Sequence, residues 1–149
     1  MPKAIKQATL TGGSADDIEA SFYEALQTAN LDKLMACWAD EDSIVCVHPG
    51  GPRLIGVAAI RAAFELMFSN SPIPAWPQSL RKVESLTSMV HSVLERIDVL
   101  TDDGPRQAYV IATNVYHRTP QGWRMVAHHA TPGALHEGNS AQDVSQVLH

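Results

Sequence analysis

The C-terminal half of the chain reads as four consecutive strands joined by short turns, and this constrains the fold more than any other feature. Segments rich in β-branched and aromatic residues run over 80–86, 90–100, 107–118 and 123–131. Asp102-Asp103-Gly104-Pro105 marks one hairpin turn and Thr119-Pro120-Gln121-Gly122 the next, with Thr87-Ser88-Met89 a less marked turn before them. Strands in hairpin succession pair antiparallel, and a sheet of this size has to cover at least one face.

The first half supplies the cover. Ser14-Ala15-Asp16-Asp17 has the form of a helix N-cap, and Ile18, Phe22, Ala25, Leu26 and Ala29 follow at helical spacing. Asn30 ends that helix and caps a short second one carrying Leu34, Met35 and Trp38. Over 43–48 the period changes to a strand, which Pro49-Gly50-Gly51-Pro52 turns back into Arg53-Leu54-Ile55. Gly56 opens a third helix with Ala59, Ile60, Ala63, Phe64, Met67 and Phe68 on one side. The three prolines between 69 and 79 predict a loop, with Trp76 as a lid or interface residue. Helices on one face of an antiparallel sheet make an α+β fold. Residues 14–132 form the expected domain, preceded by a flexible lead-in over 1–13. A polar tail over 133–149 carries a short helix near 141–148.

With 149 residues, one domain can bury a substantial core. The net charge of −5 and the scatter of the basic residues argue against a nucleic-acid surface. No run of 18 apolar residues could span a membrane, and no secretory leader opens the chain. Cys37 and Cys46 form no disulfide framework and read as small buried hydrophobes of a reducing, cytoplasmic setting. No phosphate loop, dinucleotide fingerprint or metal-ligand spacing is present, so no cofactor and no metal are expected.

Several stretches together resemble the SnoaL-like family of the nuclear transport factor 2-like, or ketosteroid isomerase-like, superfamily. They are Trp38-Ala39-Asp40, Val47-His48-Pro49-Gly50-Gly51, Leu54-Ile55-Gly56, Ala112-Thr113-Asn114-Val115-Tyr116, and Gly122-Trp123-Arg124-Met125-Val126-Ala127-His128-His129-Ala130. The resemblance runs from Asp16 to Pro132. It implies a cone, in which a strongly curved antiparallel sheet wraps three N-terminal helices and leaves a cavity for a small apolar molecule. It also implies a homodimer that packs sheet against sheet. Relatives include isomerases, cyclases and dehydratases as well as non-catalytic binding or assembly domains, and one scaffold hosts them all.

The candidate catalytic residues are His48, His129, Asn114 and Tyr116. His48 ends a strand at the sheet rim, and its imidazole can act as acid or base near neutral pH. His128 and His129 are adjacent on a strand and so face opposite ways. With a two-residue turn at Pro120-Gln121, Arg118 pairs with Trp123. That register puts Trp123, Met125 and His129 on one face with Asn114 and Tyr116, and His128 on the other. Asn114 and Tyr116 could hydrogen-bond a developing oxyanion. Trp38, Trp76, Trp123, Glu95 and His128 are expected pocket-lining residues. Glu95 lies mid-strand on the face of His91, Val93 and Ile97, and a mid-strand acid is either paired or functional. The acid sets of ketosteroid isomerases and epoxide hydrolases have no match, which argues against those two activities. Two readings remain: proton transfer or water loss on a carbonyl-bearing small molecule, and a non-catalytic dimeric binding or assembly domain.

Overall fold

A computed structural model describes residues 13–133. Among these described residues, three helices, α1 (Ala15–Thr28), α2 (Leu31–Ala36) and α3 (Val57–Asn70), pack on a six-stranded sheet. The strands are β1 (Val45–Val47), β2 (Arg53–Ile55), β3 (Ala75–Glu84), β4 (Ser88–Thr101), β5 (Gly104–Thr119) and β6 (Gly122–Pro132). Their order across the sheet is β2-β1-β6-β5-β4-β3. The sheet is strongly curved and open, and it is mixed, because β1 runs parallel to β6 while every other pair is antiparallel.

Local chemistry sets the helix ends. Ser14 Oγ accepts the Asp17 backbone N–H at 3.1 Å, with Asp16 and Asp17 favourably placed in the first turn of the helix dipole. Asn30 Oδ1 caps α2 in the same way, accepting from Lys33 N at 3.0 Å. Between the two, Ala29 closes α1 in the left-handed conformation at φ 53°. Ile18, Phe22, Tyr23, Leu26, Leu34, Ile60 and Phe64 from the helices meet Val93, Tyr116 and Met125 from the sheet in one core.

Beyond the parallel β1–β6 pair in a sheet expected to be antiparallel, the structure departs from the sequence expectations at three places. Part of the predicted loop over 69–79 is strand, since β3 begins at Ala75 and includes Trp76 and Pro77. The proline is tolerated because β3 is an edge strand. The turn before β4 falls at 85–87 rather than 87–89, held by Ser85 Oγ on Ser88 N at 3.0 Å. The third departure is in β6. Arg118 pairs with Trp123 as expected, but a bulge follows: Tyr116 faces Met125 while Val115 faces Ala127. Val126 is the extra residue, and past it the side chains of β6 change face. The lead-in (apart from Gly13) and the tail helix expected near 141–148 lie outside the described residues.

Candidate functional site

At the end of the core, α1, α3 and the curved sheet enclose a cavity of ≈ 240 Å³. Phe22, Leu26, Phe64, Met67, Ile73 and Ile97 give it an apolar wall, and His48, Glu95 and His128 bring polar groups to it. Two other recesses are larger, ≈ 750 Å³ beside the β4–β5 hairpin tip and ≈ 430 Å³ beside α2. The smaller cavity is the candidate site because buried titratable groups converge on it.

Those groups belong to one hydrogen-bonded network between α1 and the sheet. Tyr23 Oη donates to Glu95 Oε2 at 2.6 Å. Asn114 Nδ2 donates to Tyr23 Oη at 3.1 Å and to Glu19 Oε2 at 3.2 Å. Tyr116 Oη donates to the same Glu19 oxygen at 2.6 Å, and His91 Nδ1 lies 2.9 Å from it. On the sheet side, His128 Nδ1 meets Asn114 Oδ1 at 2.5 Å. Glu19, His91, Glu95, Asn114 and His128 are all buried, so each hydrogen bond offsets a desolvation cost that would otherwise stand alone.

Burial tunes the network's protons. Desolvation raises the Glu95 carboxyl to about 7, opposed by the Tyr23 hydrogen bond and helped by the nearby Glu19 carboxylate. Desolvation, with the neighbouring His48 and His129, lowers His128 to about 3, so its ring is neutral at physiological pH. Burial also lowers His48, and it raises the Tyr23 and Tyr116 hydroxyls well above the usual phenol range. His48 stacks edge-on against Phe64 at 4.9 Å and sits 6.3 Å from the His128 ring.

The expected site residues are therefore only partly brought together. His48, Glu95 and His128 line the cavity. His129 does not; it is exposed, because the bulge at Val126 turns His128 inward in its place. Asn114 and Tyr116 are buried beneath the cavity wall, and their hydrogens are already given to Glu19 and Tyr23 rather than held for a ligand oxygen. None of the three tryptophans lines the cavity. Trp38 bridges to Met125 and borders the recess beside α2. Trp76 is exposed on the outer sheet face beneath the Arg96 guanidinium, 5.8 Å from its ring centroid. Trp123 packs against the core five residues before His128. The network's centre, Glu19 and Tyr23, was not anticipated. Their i, i+4 spacing beside Ile18 and Phe22 was the available signal, since it places both at the edge of the buried stripe of α1.

A family model described as the SnoaL-like domain matches residues 16–134. The chain belongs to the SnoaL-like family. Its fold is that of the nuclear transport factor 2-like superfamily, also called cystatin-like. Among solved structures, it is similar to a candidate calcium/calmodulin-dependent protein kinase type II association domain from Thiobacillus denitrificans. That match has 32% identity and a TM-score of 0.75, covering 83% of this chain and 98% of the other. It is also similar to a candidate dehydratase of the nuclear transport factor 2-like family from Streptomyces avermitilis, at 28% identity and a TM-score of 0.69, covering 78% and 91%. A kinase hub domain from S. rosetta shares the fold at 17% identity and a TM-score of 0.66, covering 78% and 92%. No curated protein matches the chain. No helix among the described residues of this SnoaL-like domain is long and apolar enough to cross a membrane.

Proposed function

We propose that this SnoaL-like domain is a proton-transfer enzyme for a small, apolar, carbonyl-bearing molecule: an isomerase, dehydratase or cyclase working through its own side chains. The observation that carries the reading is the Glu95 carboxyl, buried on an apolar cavity wall and held by Tyr23 with its proton affinity raised to about 7. A general acid/base works best when its proton affinity matches the working pH. His128, at about 3, is too weak a base to share that task and serves as a hydrogen-bonding group. His48 flanks the same space. Among the described residues, no Lys or Arg lines the cavity, which favours a neutral ligand over an anion. The two buried free thiols suit a reducing, cytoplasmic setting.

The test is deuterium exchange at the α-carbon of cyclohexanone in D2O, followed by proton NMR. The protein is expected to accelerate exchange, and Glu95→Gln to lower that acceleration by about 100-fold or more. Exchange at the buffer rate, or an unchanged rate in the variant, would count against the reading.

A second reading, a homodimeric binding or assembly domain, draws on the outer sheet face. Val83, Val90, Val115, Ala127, Val45 and Ile55 are successive cross-strand partners over all six strands. Val83 is 70% exposed and Ile55 51% exposed at the two ends of this apolar row. The similarity to a candidate kinase association domain supports the same reading. The two readings are compatible, since a dimer joined by its outer faces leaves the inner cavity open.

A further inference from the structure

The cavity wall contains one ring whose hydrogen position is dictated by its neighbours. We infer that Asn114, aligned by Glu19 and Tyr23, is a positioning residue that locks His128 in the Nδ1–H tautomer and leaves its Nε2 as a bare acceptor for a ligand hydroxyl or N–H. Donor counting gives this result. With Glu95 ionised, the Tyr23 hydroxyl hydrogen is committed to Glu95 Oε2 at 2.6 Å, so towards Asn114 the hydroxyl can only accept, and the Glu19 contact holds the same end of the amide whichever form Glu95 takes. Glu19 Oε2, which already takes Tyr116 Oη at 2.6 Å, is likewise an acceptor towards Asn114. Both groups facing that end of the amide are acceptors, so that end is the NH2, at 3.1 Å from Tyr23 and 3.2 Å from Glu19.

The amide carbonyl is thereby turned to His128, and the ring nitrogen 2.5 Å from it has to carry a hydrogen. A neutral imidazole has only one N–H, and the nitrogen holding it is set by the partner of that nitrogen. Burial keeps the ring neutral, with its proton affinity lowered to about 3. No described residue hydrogen-bonds Nε2. The lone pair of Nε2 is therefore left for a ligand, and a carbonyl oxygen or an anion placed against it would be repelled.

The tautomer stands whether or not the domain is an enzyme. Only the ligand class rests on the cavity being a substrate site. The test is a long-range proton–nitrogen correlation spectrum of the full-length protein, ¹⁵N-labelled at histidine, at pH 7. His128 is expected to show a protonated Nδ1 and an unprotonated Nε2. A protonated Nε2 would overturn the inference, and this holds even if every variant fails to fold.

Asn114→Leu removes the carbonyl, so His128 is expected to pass to the Nε2–H form that neutral histidine prefers when unconstrained. Retention of Nδ1–H in that variant would overturn the role of Asn114. Glu19→Gln can place its carbonyl oxygen where the three donors converge and is expected to keep the native tautomer; loss of that tautomer would overturn the account of how Asn114 is aligned. Saturating cyclohexanol is expected to shift the Nε2 resonance, and cyclohexanone to shift it several-fold less. An equal or larger ketone effect, or no effect from either, would overturn the ligand class. Failure of α-carbon exchange alone would remove the enzymatic reading and leave the tautomer result standing.

Discussion

Glu95 is a carboxyl group whose burial couples stability to pH. Its folded proton affinity, about 7, lies above the ordinary carboxylate value of 4.5, so between these limits the folded state holds a proton that the unfolded chain has released. Its contribution is fully present below about pH 4.5 and is lost as pH rises through 7. His128 has the opposite sign. Lowered from 6.5 to about 3, it favours the folded state above pH 6.5, and that contribution is lost as pH falls towards 3. In the shared window the two oppose each other and flatten the profile. Glu95→Gln removes one side only, because Gln can accept the same Tyr23 hydrogen bond through its carbonyl oxygen. It is expected to be more stable than the parent at pH 8 by roughly 1–3 kcal/mol, with the gap closing below pH 5, as read by urea unfolding at each pH. Tyr116→Phe withdraws a donor from the buried Glu19 oxygen, and the same measurement is expected to show a loss of about 1–3 kcal/mol. At this scale the sequence was legible where residue type and strand position agreed. Glu95 stood out as a mid-strand acid. Glu19 did not, because a carboxylate on a helix edge is ordinarily solvated and only the facing Tyr116, Asn114 and His91 from distant strands make it internal.

Secondary-structure elements were legible from their ends. Ser14 and Asn30 announced helix starts, and Pro120-Gln121 announced the two-residue hairpin that pairs Arg118 with Trp123. The bulge at Val126 was not legible, because nothing about a Val in a Val-Ala-His run distinguishes an unpaired strand residue from a paired one. One extra residue sufficed to exchange His128 and His129 between faces. The parallel pairing of β1 with β6 was hidden for a related reason: it joins elements separated by most of the chain, and no turn encodes it. Ala29 makes a prediction at this scale. It holds α1's C-cap at φ 53°, a conformation that favours glycine, so Ala29→Gly is expected to raise stability by about 0.5–1 kcal/mol in thermal or urea unfolding.

The whole molecule has an inner face closed by helices and an outer face that carries a row of valine, alanine and isoleucine across six strands. If that face joins two copies, light scattering will give twice the mass of the 16.2 kDa chain, and Val115→Asp at the middle of the row will return it to monomer without unfolding. A parent protein that runs as a monomer would remove the assembly reading. The fold as a whole was legible because helix periodicity, hairpin turns and family motifs agree on one layer order. The chemistry was less so, since it depends on α1 and β4–β6 meeting within hydrogen-bonding distance. The central claim concerns one proton in that meeting place. A carbon-13 NMR titration of the Glu95 side-chain carboxyl tests it most directly: the account predicts a midpoint near 7, lost in Glu95→Gln. A midpoint in the ordinary carboxylate range near 4.5 would contradict it.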